Sequence, residues 1–187
     1  MTPLLPARDL WLLLGAAVYP LWLLAGVLDI ALHRRDRIET RVGSQESAMH
    51  VAMCLQMGVP VLLVLFLDVT APVFLACAAF VAIHSWTSWR DTRFADPRRH
   101  VGPAEQKVHV ALDGIPWIGL ALVALLHAPA LRGLVADGAA DWAIRPRRPM
   151  FAPGVVVLVL ATSFLFGLLP SLLEWRRARR FEAHATH

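Results

Sequence analysis

The sequence predicts an all-α integral membrane protein, a bundle of about five transmembrane helices with the N-terminus outside and the C-terminus cytoplasmic. Three observations carry this expectation. Of 187 residues, 57% are hydrophobic and 17% charged, with a mean hydropathy of +0.56. Apolar runs of roughly 20 residues, the length that crosses a bilayer core, recur along the chain between short arginine-rich segments. Lys and Arg are also shared unequally between alternate loops. Nothing resembles a nucleic-acid-binding motif, so the net charge of +4 is assigned to topology and no nucleic-acid partner is expected. Residues 1–187 read as a single transmembrane domain.

The first span, 10–32, carries Tyr19-Pro20, where the proline ring predicts a kink, and ends at His33-Arg-Arg-Asp-Arg37. It has no basic leader beyond Arg8 and no small-residue cleavage site, so it reads as a retained span rather than a signal peptide. A short polar hairpin with Arg34, Arg35, Arg37 and Arg41 leads to Ser44, the expected N-cap of the second span, 46–67. Asp68 and Thr70 mark a tight turn. The third span, 71–89, ends in Trp86 and Trp89, which suit a membrane interface. A second basic loop follows, with Pro97 and Gly102-Pro103 as breakers. Pro103 fits the first turn of the fourth span, 104–127, in which Pro116 predicts a kink. Residues 128–149 read as an irregular outer loop with a short interfacial helix around Leu131 to Trp142. The last span, 150–175, has no ionisable residue before Glu174 and precedes a basic tail, so it reads as a ligand-free scaffold helix. Cys54 and Cys77 fall inside spans and read as inert buried thiols.

Thirteen Lys and Arg lie on the loops and tail of one side and five on the other, which predicts that the basic side is cytoplasmic, as in a bacterial inner membrane protein. With that topology the ionisable residues of the spans fall at one level. Asp29 and His33 end the first span, Glu46 and His50 begin the second, His84 and Asp91 end the third, and Glu105, His109 and Asp113 begin the fourth. Spacings of four and seven residues place each set on one helix face. Ionisable groups inside a membrane are costly, which makes function the default expectation.

Imidazole with carboxylate oxygen suits iron, manganese or zinc, and nine such residues suffice for two ions. The pairing resembles, in site logic, the soluble di-iron carboxylate proteins, which use Glu-x-x-His on a four-helix bundle. The spacing here is longer, Glu46-x-x-x-His50 and Glu105-x-x-x-His109, so the resemblance covers only the helix ends. The His-x-x-x-His and His-His boxes of membrane desaturases and hydroxylases are absent. The expected function is therefore a membrane dimetal oxidoreductase, iron-dependent by preference. It would act on a lipid-like or other apolar substrate or a quinone, reached past Trp86, Trp89 and Trp117, with electrons from a donor protein. The alternatives are a b-type dihaem electron carrier ligated by the four helix-borne histidines, a metal-ion carrier, and a zinc hydrolase. A metal-free ion-pair network with the loop arginines is the structural alternative. His127, His184 and His187 read as solvated end residues, and His100 and Glu39 as solvated loop residues.

Overall fold

The computed structural model describes residues 6–136 and 139–185, without the side chains of Glu39 and Ala185. His187 and the Glu39 side chain thus lie outside the described residues. Five helices are long and apolar enough to span a membrane: α1, Ala7–Asp36; α2, Ser44–Phe66; α3, Ala71–Ala95; α4, Pro103–Leu126; and α5, Pro153–His184. Among the described residues there is no strand, only an isolated bridge between Leu67 and Pro146. The principal contacts run α1 to α4, α4 to α3, α3 to α2, α2 to α5 and α5 back to α1. The helices therefore close a ring. Leu12, Leu21, Leu24, Leu125, Val157 and Leu158 are exposed on its outside, the surface a bilayer would cover.

Prolines shape the ring in two ways. Tyr19-Pro20 does not break α1; it follows a π-helical segment, Leu14–Val18. The same arrangement recurs in α5, where Phe164–Leu168 is π-helical just before Pro170. The wider π turn accommodates a proline and shifts the phase of everything after it by one residue, about 100° of rotation. In α4, by contrast, the α-helix continues through Pro116. Because proline has no N–H to give the carbonyl four residues back, Leu112 O is released and accepts from His84 Nε2 at 3.4 Å.

Several boundaries differ from expectation. The α1 and α3 helices are longer than expected at both ends or at the end nearest the basic loop, because their last turns are tied into buried contacts. Ser44 is not the N-cap. Gly43, with φ +78°, holds that position, and the first turn is capped from α5: Ser44 N donates to Glu182 Oε1 at 2.6 Å and Ser44 Oγ to Glu182 Oε2 at 2.7 Å. The basic tail is thus a continuation of α5, with Ala178 fully buried and Arg176, Arg179 and Arg180 exposed as expected of a solvated tail. At the opposite end the expected interfacial helix is reduced to one turn, Ala128–Leu131, and a 3-10 turn, Arg132–Leu134. His127, expected to be solvated, is half-buried with its ring edge-on to Trp11. Burial, and then the charge of Arg147, push it below the ordinary histidine value.

The segment around Asp141 to Arg147 is an extended strap across that end. Ala71 N donates to Asp141 O, Asp68 N to Arg145 O and Arg147 N to Phe66 O. Asp68 accepts from the Arg148 amide at 3.2 Å and from Arg145 Nε at 3.0 Å, contacts that hold its carboxyl below the usual range. A carboxyl lowered in the folded state stabilises above its ordinary value and loses that contribution as pH falls through the folded value. Asp68→Asn is therefore expected to lower the melting temperature at neutral pH, by on the order of a degree or two for so exposed a group. The difference from wild type should shrink below about pH 4. Thermal unfolding in detergent at both pH values measures it, and a difference that grows in acid would contradict the account.

Candidate metal centre

The end of the ring that carries the basic loops holds a cluster of buried ionisable side chains. Asp29, His33, Glu46, His50, His84, Asp91, Glu105 and Glu174 are all buried, and His109 is half-buried. The pairing follows from chain direction. Helices α1 and α4 run antiparallel, and each carries an acid and a histidine four residues apart. In α1 the acid, Asp29, lies deeper than the histidine; in α4 the histidine, His109, lies deeper than the acid. Side by side, acid meets imidazole at both levels. Asp29 Oδ1 lies 3.1 Å from His109 Nε2, and Glu105 Oε1 lies 3.0 Å from His33 Nε2. Within each helix the pairs are looser, 3.6 Å for Asp29 with His33 and 3.8 Å for Glu105 with His109.

Helices α2, α3 and α5 supply the other half. His50 Nε2 faces Asp91 Oδ2 at 3.2 Å, and its Nδ1 faces Glu174 Oε1 at 3.1 Å. The second oxygen of Glu174 lies 3.5 Å from His33 Nδ1. Glu174 therefore turns one oxygen towards each half, between imidazoles that stack with centroids 4.7 Å apart and planes at 13°. The fifth helix, expected to contribute nothing here, thus brings Glu174 into the cluster. The sequence held one signal for it: Glu174 ends an apolar span on the same side as Asp29. The π segment upstream, which resets the helix phase, hides which face it takes.

Arg99, in the loop after α3, was also missed, having no pattern to mark it among the loop arginines. Its guanidinium is buried and reaches both carboxylates, with Nη2 2.5 Å from Glu46 Oε1 and 2.5 Å from Glu105 Oε1. A further bond runs from Nη1 to Glu105 Oε2 at 2.9 Å. Burial works against its charge, but the bonds from Glu105 and Glu46 outweigh burial and leave Arg99 more firmly protonated than an ordinary arginine. His100 beside it is exposed, as expected for a loop residue.

Two expected members stand apart. Asp113 accepts from Ser85 Oγ at 2.6 Å, and that hydroxyl accepts from Trp117 Nε1 at 2.9 Å. Two steps of four residues overshoot two helical turns by about 80°, which carries Asp113 off the face of Glu105 and His109 and towards α3. His84 lines the same chamber as Asp29, His50, Asp91 and His109 but spends Nε2 on Leu112 O, leaving its buried Nδ1 without a partner. Trp86 and Trp89 are exposed, with their rings tilted at 35° to each other, and neither they nor Trp117 lines the chamber of the cluster.

Two groups of donors satisfy the proximity a metal ion requires. One atom from each of Asp29, His33, Glu105 and His109 lies within 4.8 Å of the others, as does one from each of His33, Glu46 and His50. Ligand atoms at about 2.1 Å from an ion are themselves roughly 3.0–3.4 Å apart, the scale of the separations above. Asp29 Oδ1, His33 Nδ1, Asp91 Oδ1 and Glu174 Oε2 are buried without a hydrogen bond of acceptable geometry, although Asp29 Oδ1 lies 3.1 Å from His109 Nε2 and Glu174 Oε2 lies 3.5 Å from His33 Nδ1. Five carboxylates, those of Asp29, Glu46, Asp91, Glu105 and Glu174, are buried in this layer together with the Arg99 guanidinium and the His33 and His50 rings.

No family model, curated protein or solved structure matches this chain. Fold and site together define a class: a helical protein with five membrane-spanning candidates and a buried histidine–carboxylate centre at one end of the ring.

Removing Arg99 leaves Glu46 and Glu105 buried and uncompensated, which costs on the order of 3 kcal/mol. Arg99→Ala is expected to lower the melting temperature by roughly 6–12 °C, with Arg99→Lys intermediate because it restores charge without the planar fork. Unchanged thermal unfolding of Arg99→Ala would remove this guanidinium from the list of structural supports.

Proposed function

We propose that the protein is a membrane-embedded dimetal oxidoreductase of the iron-dependent type, with the metal centre on the cytoplasmic side of a bacterial inner membrane. The convergence of Asp29, His33, Glu105 and His109 on one point, each with a donor atom within 4.8 Å of the rest, is the observation that carries the reading. The uneven distribution of Lys and Arg supports the orientation, N-terminus outside and C-terminus cytoplasmic.

In this reading Asp29, His33, Glu105 and His109 would hold one ion, and His50 and Asp91, with His84 lining the same chamber, would hold the second. Glu174, whose oxygens face His33 and His50 separately, would serve both. Glu46, forked by Arg99, orients the shell and supplies charge rather than a first ligand. Iron is preferred over zinc because a carboxylate-rich pair with several imidazoles suits redox chemistry with dioxygen. The metals would supply that chemistry, acting on an apolar substrate or a quinone, with electrons from a donor protein on the cytoplasmic side. The stacked His33 and His50 rings leave no slot for a porphyrin between them, which favours ions over haem. An apolar lumen beyond the centre offers no polar path, which disfavours a metal-ion carrier.

The hydrogen-bond-length contacts of His33 and His50 with carboxylates favour a second reading, a metal-free network of imidazolium ions and carboxylates. Elemental analysis with an optical spectrum on anaerobically purified protein separates the two. About two transition-metal ions per chain and no Soret band are expected. The His50→Ala, His109→Ala double variant should lose most of that metal. Less than about one ion per chain, or full retention by the double variant, would sink the proposal.

A further inference from the structure

The ring encloses two chambers in line. The first, at the basic end, is lined by Asp29, His50, His84, Asp91 and His109 among others. The second, in the other half of the bundle, has a volume of about 550 Å³ and draws its walls from all five helices, including Gly15, Val18, Val64, Val81, Leu120 and Val159. Trp22 is common to both, and its indole N–H is buried without a partner. It stands about 16 Å along α1 from Trp11 at the far end, and Asp29 lies about 10 Å beyond it.

The second chamber is apolar throughout its middle. Its one charged lining residue, Arg8, stands near Trp11 at the end away from the metal centre. Arg147 lies at that end too, behind Trp11 and Phe151, with its guanidinium over both rings. It is nine-tenths buried, donates from Nε to Val64 O at 2.8 Å, and is not itself part of the chamber wall. The volume also limits the occupant. At roughly 30 Å³ for a methylene-sized group, about 550 Å³ is room for a single alkyl chain of the length of hexadecanoate.

We propose that this chamber binds a single-chain fatty acid, its carboxylate at the Arg8 end and its chain running past Trp22 towards the histidine–carboxylate cluster. As an assignment of substrate class this rests on the metal-centre reading, while the binding site itself does not. The carboxylate meets the Arg8 guanidinium, the charged group on the chamber lining among the described residues. The chain covers apolar wall that water would otherwise wet, at a gain for each methylene buried. Trp22 divides the part of the chain that is only held from the part that is presented to the cluster.

The test uses the full-length protein in detergent, with radiolabelled hexadecanoate as probe and metal content measured on the same samples. Saturable binding near one per chain is expected, in metal-loaded and chelator-stripped protein alike. Gly15→Phe puts a ring into the chamber where an added Cβ meets nothing within 4 Å. It should weaken binding by at least about ten-fold, the loss when two or more methylenes no longer fit, while metal content stays at the wild-type level. Arg8→Gln should weaken hexadecanoate but leave hexadecanol unchanged. Hexadecanoate brominated near its terminal methyl should quench a component of tryptophan fluorescence that Trp22→Phe removes. No saturable binding, equal binding by Gly15→Phe, or a co-purified phospholipid that Gly15→Phe fails to displace overturns the proposal. If hexadecanoate binds as described but no metal is found, the metal-centre reading fails and the chamber assignment stands; metal without binding gives the reverse.

Discussion

Charge compensation inside a five-helix ring is the constraint on which the rest of this molecule depends. A carboxylate taken out of water is costly unless an opposite charge or several donors accompany it. Five of them are gathered here in one layer. The antiparallel match of α1 and α4, Asp29 against His109 and Glu105 against His33, fixes the register of those helices, because a slide by one turn would set acid against acid. Glu174 then ties α5 to both halves through His33 and His50, and Asp91 ties α3 to α2. Every member of the ring is therefore held at this end by a polar contact with a partner from another helix.

Arg99 completes the arrangement from outside the helices. The loop that carries it is short and begins where α3 ends, and the guanidinium reaches back under the helix ends to Glu46 and Glu105. Lysine could bring the charge but not the fork, which engages two carboxylates at once. The consequence is a closed roof over the cluster on the basic side. Glu182, capping Ser44 from the end of α5, closes the neighbouring corner. Both contacts are made by residues that a sequence reading treats as solvated loop or tail. Their burial explains why α3 and α5 continue past the apolar limits of their spans.

Much of this was legible in the sequence, and the failures have physical causes. The number of spans followed from hydropathy alone, and the gathering of Asp29, His33, Glu46, His50, Asp91, Glu105 and His109 followed from spacing plus the alternation of helix direction. Asp113 misled because a four-residue interval repeated twice drifts round the helix, so that periodicity read over one step does not extend to two. Glu174 was lost because α5 is apolar on all sides before it, leaving no polar face from which to judge phase, and because a π segment resets that phase. Arg99 was lost because long side chains reach from loops into places that no helical pattern encodes. Pro20 and Pro116 were read as kinks; Pro20 follows a π turn, as Pro170 does in α5, and Pro116 frees a carbonyl that takes up His84.

The division of the lumen follows from the same rule that builds the cluster. Polar groups are concentrated where they can compensate one another, so the other half of the ring contains little beyond hydrocarbon. Packing alone would favour filling that half with large side chains, since an apolar void forfeits dispersion contacts on every wall. Instead, Gly15 and Gly119 line it, with Pro60 and Pro116 opposite. Helices that close a ring around a polar layer cannot also draw together beyond it, because the width of the ring is set by imidazoles and carboxylates at one end. The apolar chamber is thus a geometric consequence of the centre as well as its neighbour, and Trp22 stands where one becomes the other.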